Sequence, residues 1–202
     1  LIIIITGVLD DIKEISAKLK LFGQVLAALI VVVYGGLQVE FVNLPFGGHL
    51  DFGYFSIPFT LIWIIGITNA INLIDGLDGL AGGVSSIALF TIAGMALVMG
   101  NPYVMTMALI IAVSTLGFLV FNFHPAKIFM GDTGALFLGY MIGVLSLLGF
   151  KNVTFISLVV PVIILGVPIS DTLFAIVRRV VNKKPLSTPD KSHLHHCLLR
   201  LG

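Results

Sequence analysis

Four polar residues recur at every third position of the stretch Asn69–Ala81: Asn69, Asn72, Asp75 and Asp78. The stretch lies between two long apolar runs, 55–68 and 82–99, which are typical of membrane spans and place it at a membrane–water boundary. Residues three apart are neighbours on a helix, so the spacing predicts one polar stripe. Such a stripe indicates a site for a polar ligand. The alternative is a helix terminus with a capping aspartate.

The adjacent pair Asp10-Asp11 forms a second polar cluster. Adjacent side chains on a helix point about 100° apart, so we expect the two carboxylates to have separate roles. Two neighbouring carboxylates repel each other unless a cation or basic group is close. A helix-end pair neutralised by Lys13 and solvent is the alternative.

A third cluster, Phe129–Gly134, leads directly into an apolar run. The amino terminus of a helix favours anions, so this end suits a phosphate bound on backbone N–H groups. The carboxylate of Asp132 could then hold a bridging Mg²⁺. A simple N-cap, for which Asp132 or Thr133 would serve, is the alternative.

The fourth cluster contains His193, His195 and His196. Histidines at this spacing could bind a transition metal. The carboxylates of the other clusters are hard oxygen ligands suited to Mg²⁺, so we interpret the histidines as donors to phosphate or sugar. A solvated loop without a role is the alternative.

Composition indicates the class of protein. Of the 202 residues, 58% are apolar and only 10% are charged, and mean hydropathy is +1.13. Soluble domains carry about 25% charged residues, so the chain is predicted to be all-α, a multi-pass transmembrane helical bundle. A net charge of +1 without a long basic run argues against a nucleic-acid partner.

The predicted spans are the end of one at 1–9, followed by 21–37, 56–74, 82–100, 103–122, 134–150 and 153–180. Polar loops are predicted at 10–20 and 38–55, the second with a short hairpin, and a polar tail at 181–202. Pro161 and Pro168 predict a kinked or broken last span. In that span Asp171 could pair with Arg178 or belong to the site. We expect residues 1–202 to be one integral membrane domain and a fragment, lacking spans before Leu1 and after Gly202.

Alternating these spans places ten of the eleven lysines and arginines on one side, with Lys151 as the exception. Basic residues mark the cytoplasmic side of a membrane protein. All four polar clusters lie on that side. This convergence predicts a site on the cytoplasmic face of the plasma membrane.

The clusters, in this order, resemble the polyprenyl-phosphate N-acetylhexosamine-1-phosphate transferase family, of the glycosyltransferase 4 type. The matching stretches are Leu9–Ile12, Ser16–Lys20, Asn69–Ala81, Phe121–Gly139 and Val167–Leu201. The histidine pattern is similar to the UDP-GlcNAc branch, which starts teichoic acid, O-antigen and related polymers, whereas the muramoyl-pentapeptide branch has three successive histidines. One departure is Ala135, where the family usually has serine.

This resemblance implies a Mg²⁺-dependent reaction, with Mn²⁺ as an alternative cation, in which polyprenyl phosphate attacks the sugar-bearing phosphorus of UDP-GlcNAc and UMP leaves. It implies that Asp132 is the metal ligand and that Asp10 and Asp11 handle the lipid phosphate, with Asp10 as base. The implied nucleotide-sugar residues are Asn72, Asp75, Leu77, Asp78, which lies near uracil, and Phe129, which stacks on it. The implied phosphate or sugar contacts are His195 and His196, with His193 completing the motif. The implied partners are the two substrates, the lipid bilayer and a second copy of the chain in a homodimer.

Two other classes of protein remain as alternatives. A transporter would place its acidic residues near the bilayer midplane and break helices in paired halves. A CDP-alcohol phosphotransferase also uses an Asp-Gly motif, but Asp78-Gly79 lacks the Ala-Arg that follows it there.

Overall fold

The computed structural model describes residues 1–44 and 47–149, together with 162, 163 and 166. The helices are α1 (Ile2–Lys13), α2 (Ala17–Leu29, continued by π-helical Ile30–Tyr34), α3 (Ser56–Ile74), α4 (Leu80–Val98), α5 (Pro102–Asn122) and α6 (Gly131–Leu148). Between α2 and α3 the strands β1 (Phe41–Asn43) and β2 (His49–Asp51) form an antiparallel pair, and a 3₁₀ turn (Gly53–Phe55) precedes α3.

Within the described residues, five helical segments are long and apolar enough to cross a membrane. They are Ala17–Tyr34, Gly53–Ile74, Leu80–Val98, Pro102–Asn122 and Gly131–Leu148. The predicted all-α, multi-pass membrane fold is therefore confirmed, and the predicted hairpin in the loop 38–55 is present. The last span, 153–180, which is predicted to be kinked or broken, falls outside the described residues except at isolated positions, and so does the predicted polar tail.

The predicted polar loop at 10–20 is wrong. Helix α1 continues to Lys13, where Glu14 turns the chain with a left-handed φ of 46°, and α2 begins at Ala17 after the N-cap Ser16. Lysine is a good helix former, and Lys13, Lys18 and Lys20 all lie in helices, so charge by itself does not end a helix at a membrane edge. The polar residues at the end of α1 and at the start of α2 therefore lie on helices and not in a loop.

Glycines let α6 approach α1 and α3 closely. A Cβ atom at Gly7 of α1 would lie 2.4 Å from the Cα of Thr133, and one at Gly139 of α6 would lie 2.7 Å from the Cα of Thr68 in α3. Small residues at such crossings allow transmembrane backbones to pack against each other. The crossings fix the carboxyl-terminal ends of α1 and α3 beside the amino-terminal end of α6.

The apolar core lies mainly between α3, α4, α5 and α6, with buried residues such as Ile71, Leu89 and Ile142. A polar contact joins α3 to α6 across it, from the Trp63 indole N–H to the Ser146 hydroxyl at 3.0 Å. The core holds the four helices as one scaffold, so the polar ends of α3 and α6 keep their relative positions.

Candidate functional site

Three of the four predicted polar clusters meet at one end of the bundle. There α1, α3 and α5 end and α2, α4 and α6 begin. Side chains of α1, α2 and α3 all contact the first turn of α6. The histidine cluster, with His193, His195 and His196, lies outside the described residues, so its role stays a prediction.

Lys20 joins two of these clusters. Its Nζ lies 2.6 Å from Asp10 Oδ2 and 2.5 Å from Asp132 Oδ1. Asn72 donates its side-chain N–H to the same oxygen of Asp132. Asp10 is only 8% exposed, so the ammonium group neutralises a buried carboxylate.

Lys20 is a site residue that sequence reasoning did not assign. In sequence it is one of several basic residues on the predicted cytoplasmic side. Two signals could have indicated it: its place at the start of the helix that follows an acidic pair, and its place in the matching stretch Ser16–Lys20. Its partner Asp132 is 112 positions away, and no local pattern relates the two.

Asp11 caps helix α6. Its Oδ1 accepts the backbone N–H of Asp132 at 2.7 Å, and its Oδ2 accepts the backbone N–H and the hydroxyl of Thr133 at 3.0 and 2.5 Å. Gly131 starts the helix with a left-handed φ of 64°, and a Cβ there would lie 3.0 Å from the Asp11 carboxylate. Asp10 and Asp11 thus have separate contacts, as their offset on the helix predicts.

Two expectations for the start of α6 need correction. The cap is not the side chain of Asp132 or Thr133 but a carboxylate from another helix. The first backbone N–H groups, expected to bind a phosphate, already donate to Asp11. The positive end of the helix dipole does attract an anion, as expected, but that anion is the Asp11 carboxylate and not a bound phosphate.

The stretch Asn69–Ala81 is not one helical stripe, and that prediction is wrong beyond residue 74. Helix α3 ends at Ile74, and α4 is entered through Gly79, which has a left-handed φ of 74°. Paired Asp-Gly steps favour turns, so the helical spacing stops there. Asn69 points to α2 and exchanges hydrogen bonds of 2.7 and 3.3 Å with Gln24.

Beside this turn lies a cavity of about 220 Å³. Its lining includes four residues predicted to bind the nucleotide-sugar: Asp75, Leu77, Asp78 and Phe129. The turn 75–78 forms one wall and the segment 129–131 forms the other. Pockets for drug-sized ligands measure about 300–1,000 Å³, so this one suits part of a nucleotide-sugar.

Asn122, another residue that sequence reasoning did not assign, connects the two walls. Its Oδ1 accepts the backbone N–H of Gly79 at 3.1 Å, and its Nδ2 donates to the carbonyl of Ile128 at 2.9 Å. Its side chain is 4% exposed. An apolar replacement would leave buried backbone groups without partners, so we interpret Asn122 as a determinant of the cavity's shape.

Asp78 contacts the loop between α5 and α6. Its Oδ2 accepts the backbone N–H of Ala126 at 3.0 Å and lies 3.0 Å from His124 Nδ1. The hydrogen bond from Ala126, followed by the one from His124, lowers the pKa of Asp78. His124 is exposed, yet it contacts a residue predicted to bind the substrate.

Acidic groups outnumber basic ones at the site. Asp10, Asp11, Asp75 and Asp132 lie at this end of the bundle, and Lys20, which pairs with Asp10 and Asp132, is the one basic side chain paired with any of them in the described ranges. Burial, followed by the charges of Asp132 and Asp11, raises the pKa of Asp75 to about 6. A cation would relieve this repulsion.

The donor set fits Mg²⁺ in chemical type. Mg²⁺ is bound through one or two carboxylates plus substrate phosphates, and residues 1–44 and 47–149 contain no group of three acidic, histidine or cysteine ligands. Asp132, which lies in the first turn of α6, is the carboxylate shared by Lys20 and Asn72. An ion held by Asp132 and by substrate phosphates is consistent with this arrangement.

Comparison with known proteins identifies the family to which these residues belong. The model of glycosyl transferase family 4 matches residues 1–150. A "probable undecaprenyl-phosphate N-acetylglucosaminyl 1-phosphate transferase" of Bacillus subtilis is 57% identical over 203 residues, which is 100% of this chain and 56% of that protein. A decaprenyl-phosphate N-acetylglucosaminephosphotransferase of Mycolicibacterium smegmatis is 37% identical over 230 residues, 100% of this chain and 55% of that protein.

A phospho-N-acetylmuramoyl-pentapeptide-transferase of Chlorobium luteolum is 36% identical over 175 residues, which is 71% of this chain and 48% of that protein. The chain thus spans about half the length of the curated relatives it matches. The resemblance expected from the polar clusters is confirmed, and the chain belongs to glycosyl transferase family 4.

Proposed function

We propose that the protein transfers GlcNAc-1-phosphate from UDP-GlcNAc to undecaprenyl phosphate on the cytoplasmic face of the membrane and releases UMP. The observation that carries this proposal is the position of the cluster of Asp10, Lys20, Asn72 and Asp132 near the cavity lined by Asp75, Asp78 and Phe129. A phosphoryl-type transfer needs such positioning and charge neutralisation more than covalent help.

The cavity is the proposed nucleotide site. Phe129 is 78% exposed at its edge, so its ring is available for a base to stack on. Leu77 supplies an apolar wall, and the Asp78 carboxylate can accept an N–H of the base. The volume of about 220 Å³ suits the base and part of the ribose, with the diphosphate directed towards Asn72 and Asp132.

The diphosphate is negative and would be repelled by the carboxylates alone. Asp132, with Asp75 nearby, would hold Mg²⁺ or Mn²⁺, and such an ion, when bound, supplies positive charge to the phosphates and to the departing UMP. Lys20 and Asn72 fix the Asp132 carboxylate from two sides. Asp11 fixes the backbone of the same residue.

In the transfer, an oxygen of the lipid phosphate forms a bond to the sugar-bearing phosphorus, and the bond from that phosphorus to the bridging oxygen of UMP breaks. A lipid phosphate has a second pKa of about 6, so it is largely a dianion at neutral pH and does not require a strong base. Asp10 is buried against Lys20, which supports a role in orienting the site rather than in removing a proton. His193, His195 and His196 are proposed to contact phosphate or sugar.

The alternatives account for the molecule less well. A transporter would place acids near the bilayer midplane, whereas the described site acids lie at helix ends, at the beginning of α6 and the ends of α1 and α3. Membership of glycosyl transferase family 4 replaces the CDP-alcohol phosphotransferase alternative. The 57% identical relative, named for undecaprenyl phosphate and N-acetylglucosamine, supports that acceptor and sugar.

The test is UMP release by the full-length protein in lipid nanodiscs, supplied with undecaprenyl phosphate and with UDP-GlcNAc or other UDP-sugars. We expect release with UDP-GlcNAc, its loss with EDTA, and a decrease of about 100-fold or more in Asp132→Asn with the fold retained. Asp51→Asn, on the hairpin at the other end of the bundle, is the matched control and should keep wild-type activity. Absence of UMP release with every UDP-sugar would refute the proposal.

A further inference from the structure

We infer that His124 is a positioning residue of the nucleotide cavity: it holds the Asp78 carboxylate and so fastens the α5–α6 loop, which carries Phe129, to the turn between α3 and α4. This inference rests on the proposed function. It concerns a residue to which the sequence pattern assigns no role.

The contact has a defined direction. A carboxylate of lowered pKa only accepts hydrogen bonds, so His124 Nδ1 carries the hydrogen that bridges the 3.0 Å to Asp78 Oδ2. The Ala126 N–H donates to the same oxygen, also at 3.0 Å. With both donors on Oδ2, the carboxylate cannot rotate freely, and Oδ1 is left to accept from a ligand in the cavity.

Three connections hold the α5–α6 loop against the turn, through Asn122, Ala126 and His124, and they differ in burial. Asn122 joins the backbone of Gly79 to that of Ile128 and is buried. The side chain of His124 is 81% exposed and that of Asp78 is 29% exposed. The buried amide of Asn122 therefore sets the distance between the walls, whereas the exposed imidazole of His124, together with the Ala126 N–H, sets the orientation of the carboxylate.

This difference predicts how a His124 variant behaves. Loss of an exposed imidazole creates no cavity and leaves no buried donor unpaired, so the fold should be retained. Without His124 the Asp78 carboxylate rotates more freely. Binding of the nucleotide must then fix its orientation, and this loss of conformational entropy weakens the affinity. In the part of the chain that the structure describes, the cluster of Lys20 and Asp132, which performs the transfer in the proposed function, forms no ion pair or hydrogen bond with His124 and should be unaffected.

The chain offers a matched control in His49. Its Nε2 lies 3.4 Å from Asp51 Oδ2, both side chains are exposed, and the pair lies on the hairpin at the opposite end of the bundle. His49→Ala removes the same kind of histidine–aspartate contact without touching the cavity.

The experiment compares full-length wild type, His124→Ala, His124→Asn and His49→Ala. Loss of one net hydrogen bond weakens binding modestly, so we expect His124→Ala to raise KM for UDP-GlcNAc about three- to tenfold and leave kcat within about twofold. His124→Asn, whose amide N–H can replace Nδ1–H, should recover most of the affinity. His49→Ala should match wild type.

Titration of each protein with UMP by calorimetry separates this inference from the proposed function. We expect His124→Ala to bind UMP about three- to tenfold more weakly than wild type, with an unchanged melting temperature. If the wild type binds UMP but transfers no sugar, the proposed function is refuted. The inference about His124 is then still tested by comparing the UMP affinities of wild type and His124→Ala. Equal UMP affinity in wild type and His124→Ala would overturn the inference, and so would a failure of His124→Asn to recover it.

Discussion

Replacement of Lys20 by methionine is the most direct test of the site's electrostatics. The substitution keeps most of the side chain's length and apolar stem but removes the ammonium group between Asp10 and Asp132. Asp10, which is 8% exposed, would then be a buried carboxylate without its cation. Burial of an unpaired charge is costly, so we expect the protein to become less stable.

The magnitude follows from the burial of the pair. Removing one member of a fully buried ion pair costs about 3–5 kcal/mol. The side chains of Lys20 and Asp10 are 18% and 9% exposed, so solvent screens part of this cost, and we expect about 2–3 kcal/mol. For a protein of about 150–250 residues, each kcal/mol lowers Tm by about 2–4 °C, which gives about 4–12 °C.

The assay is thermal unfolding of the purified protein in detergent, without divalent cations. Lys18→Met, an exposed lysine on the same helix, is the control and should shift Tm by less than 2 °C or so. Adding Asp10→Asn to Lys20→Met should recover part of the loss, because it removes the unpaired charge. If Lys20→Met melts like wild type, or if the double variant loses the sum of the two single losses, the ion pair does not stabilise the site as reasoned here.

Three further predictions concern catalysis, pH and packing. Asp78→Ala should chiefly raise KM for UDP-GlcNAc, whereas Asp132→Ala should chiefly lower kcat in UMP-release kinetics; identical behaviour would contradict their division of roles. Burial raises the pKa of Asp75 from 3.8 to about 6, so its ionisation opposes folding at pH values above this range and not below it. In metal-free buffer Asp75→Asn should therefore raise Tm relative to wild type more at pH 7.5 than at pH 4, and a gain that is equal at both would refute this. Gly139→Ala should destabilise the protein by about 1–3 kcal/mol in thermal unfolding, because its Cβ would meet the α3 backbone at 2.7 Å, whereas Gly117→Ala, with open space around it, should not.

The membrane-spanning helices were predictable because hydrophobicity is a local property. Predicted 56–74 coincides with α3, and predicted 82–100 and 103–122 differ from α4 and α5 by one or two residues at their ends. Helix ends near charged residues were less predictable, as α1 and α2 show. A polar residue at a membrane edge can sit in a helix or in a loop, and only its tertiary partners decide between them.

The candidate site was predictable in its residue types but not in its connections. The acids at 10–11, 75, 78 and 132 do gather at one end of the bundle, and four predicted nucleotide residues line one cavity. Lys20, Asn122 and His124 were not assigned from the pattern. Each acts through a partner more than 40 positions away in sequence, which no local spacing can indicate.

By itself, the sequence determined that this protein is a multi-pass membrane protein with acidic clusters on one side, since apolar length and charge placement depend on each segment alone. Its motifs also determined the family. The tertiary structure decided that Asp11 caps α6, that Lys20 pairs Asp10 with Asp132, and that the Asn69–Ala81 stretch divides into a helix end and a turn. These contacts depend on how closely α1, α3 and α6 cross, and that distance is set by glycines such as Gly7 and Gly139 only when the helices are packed together.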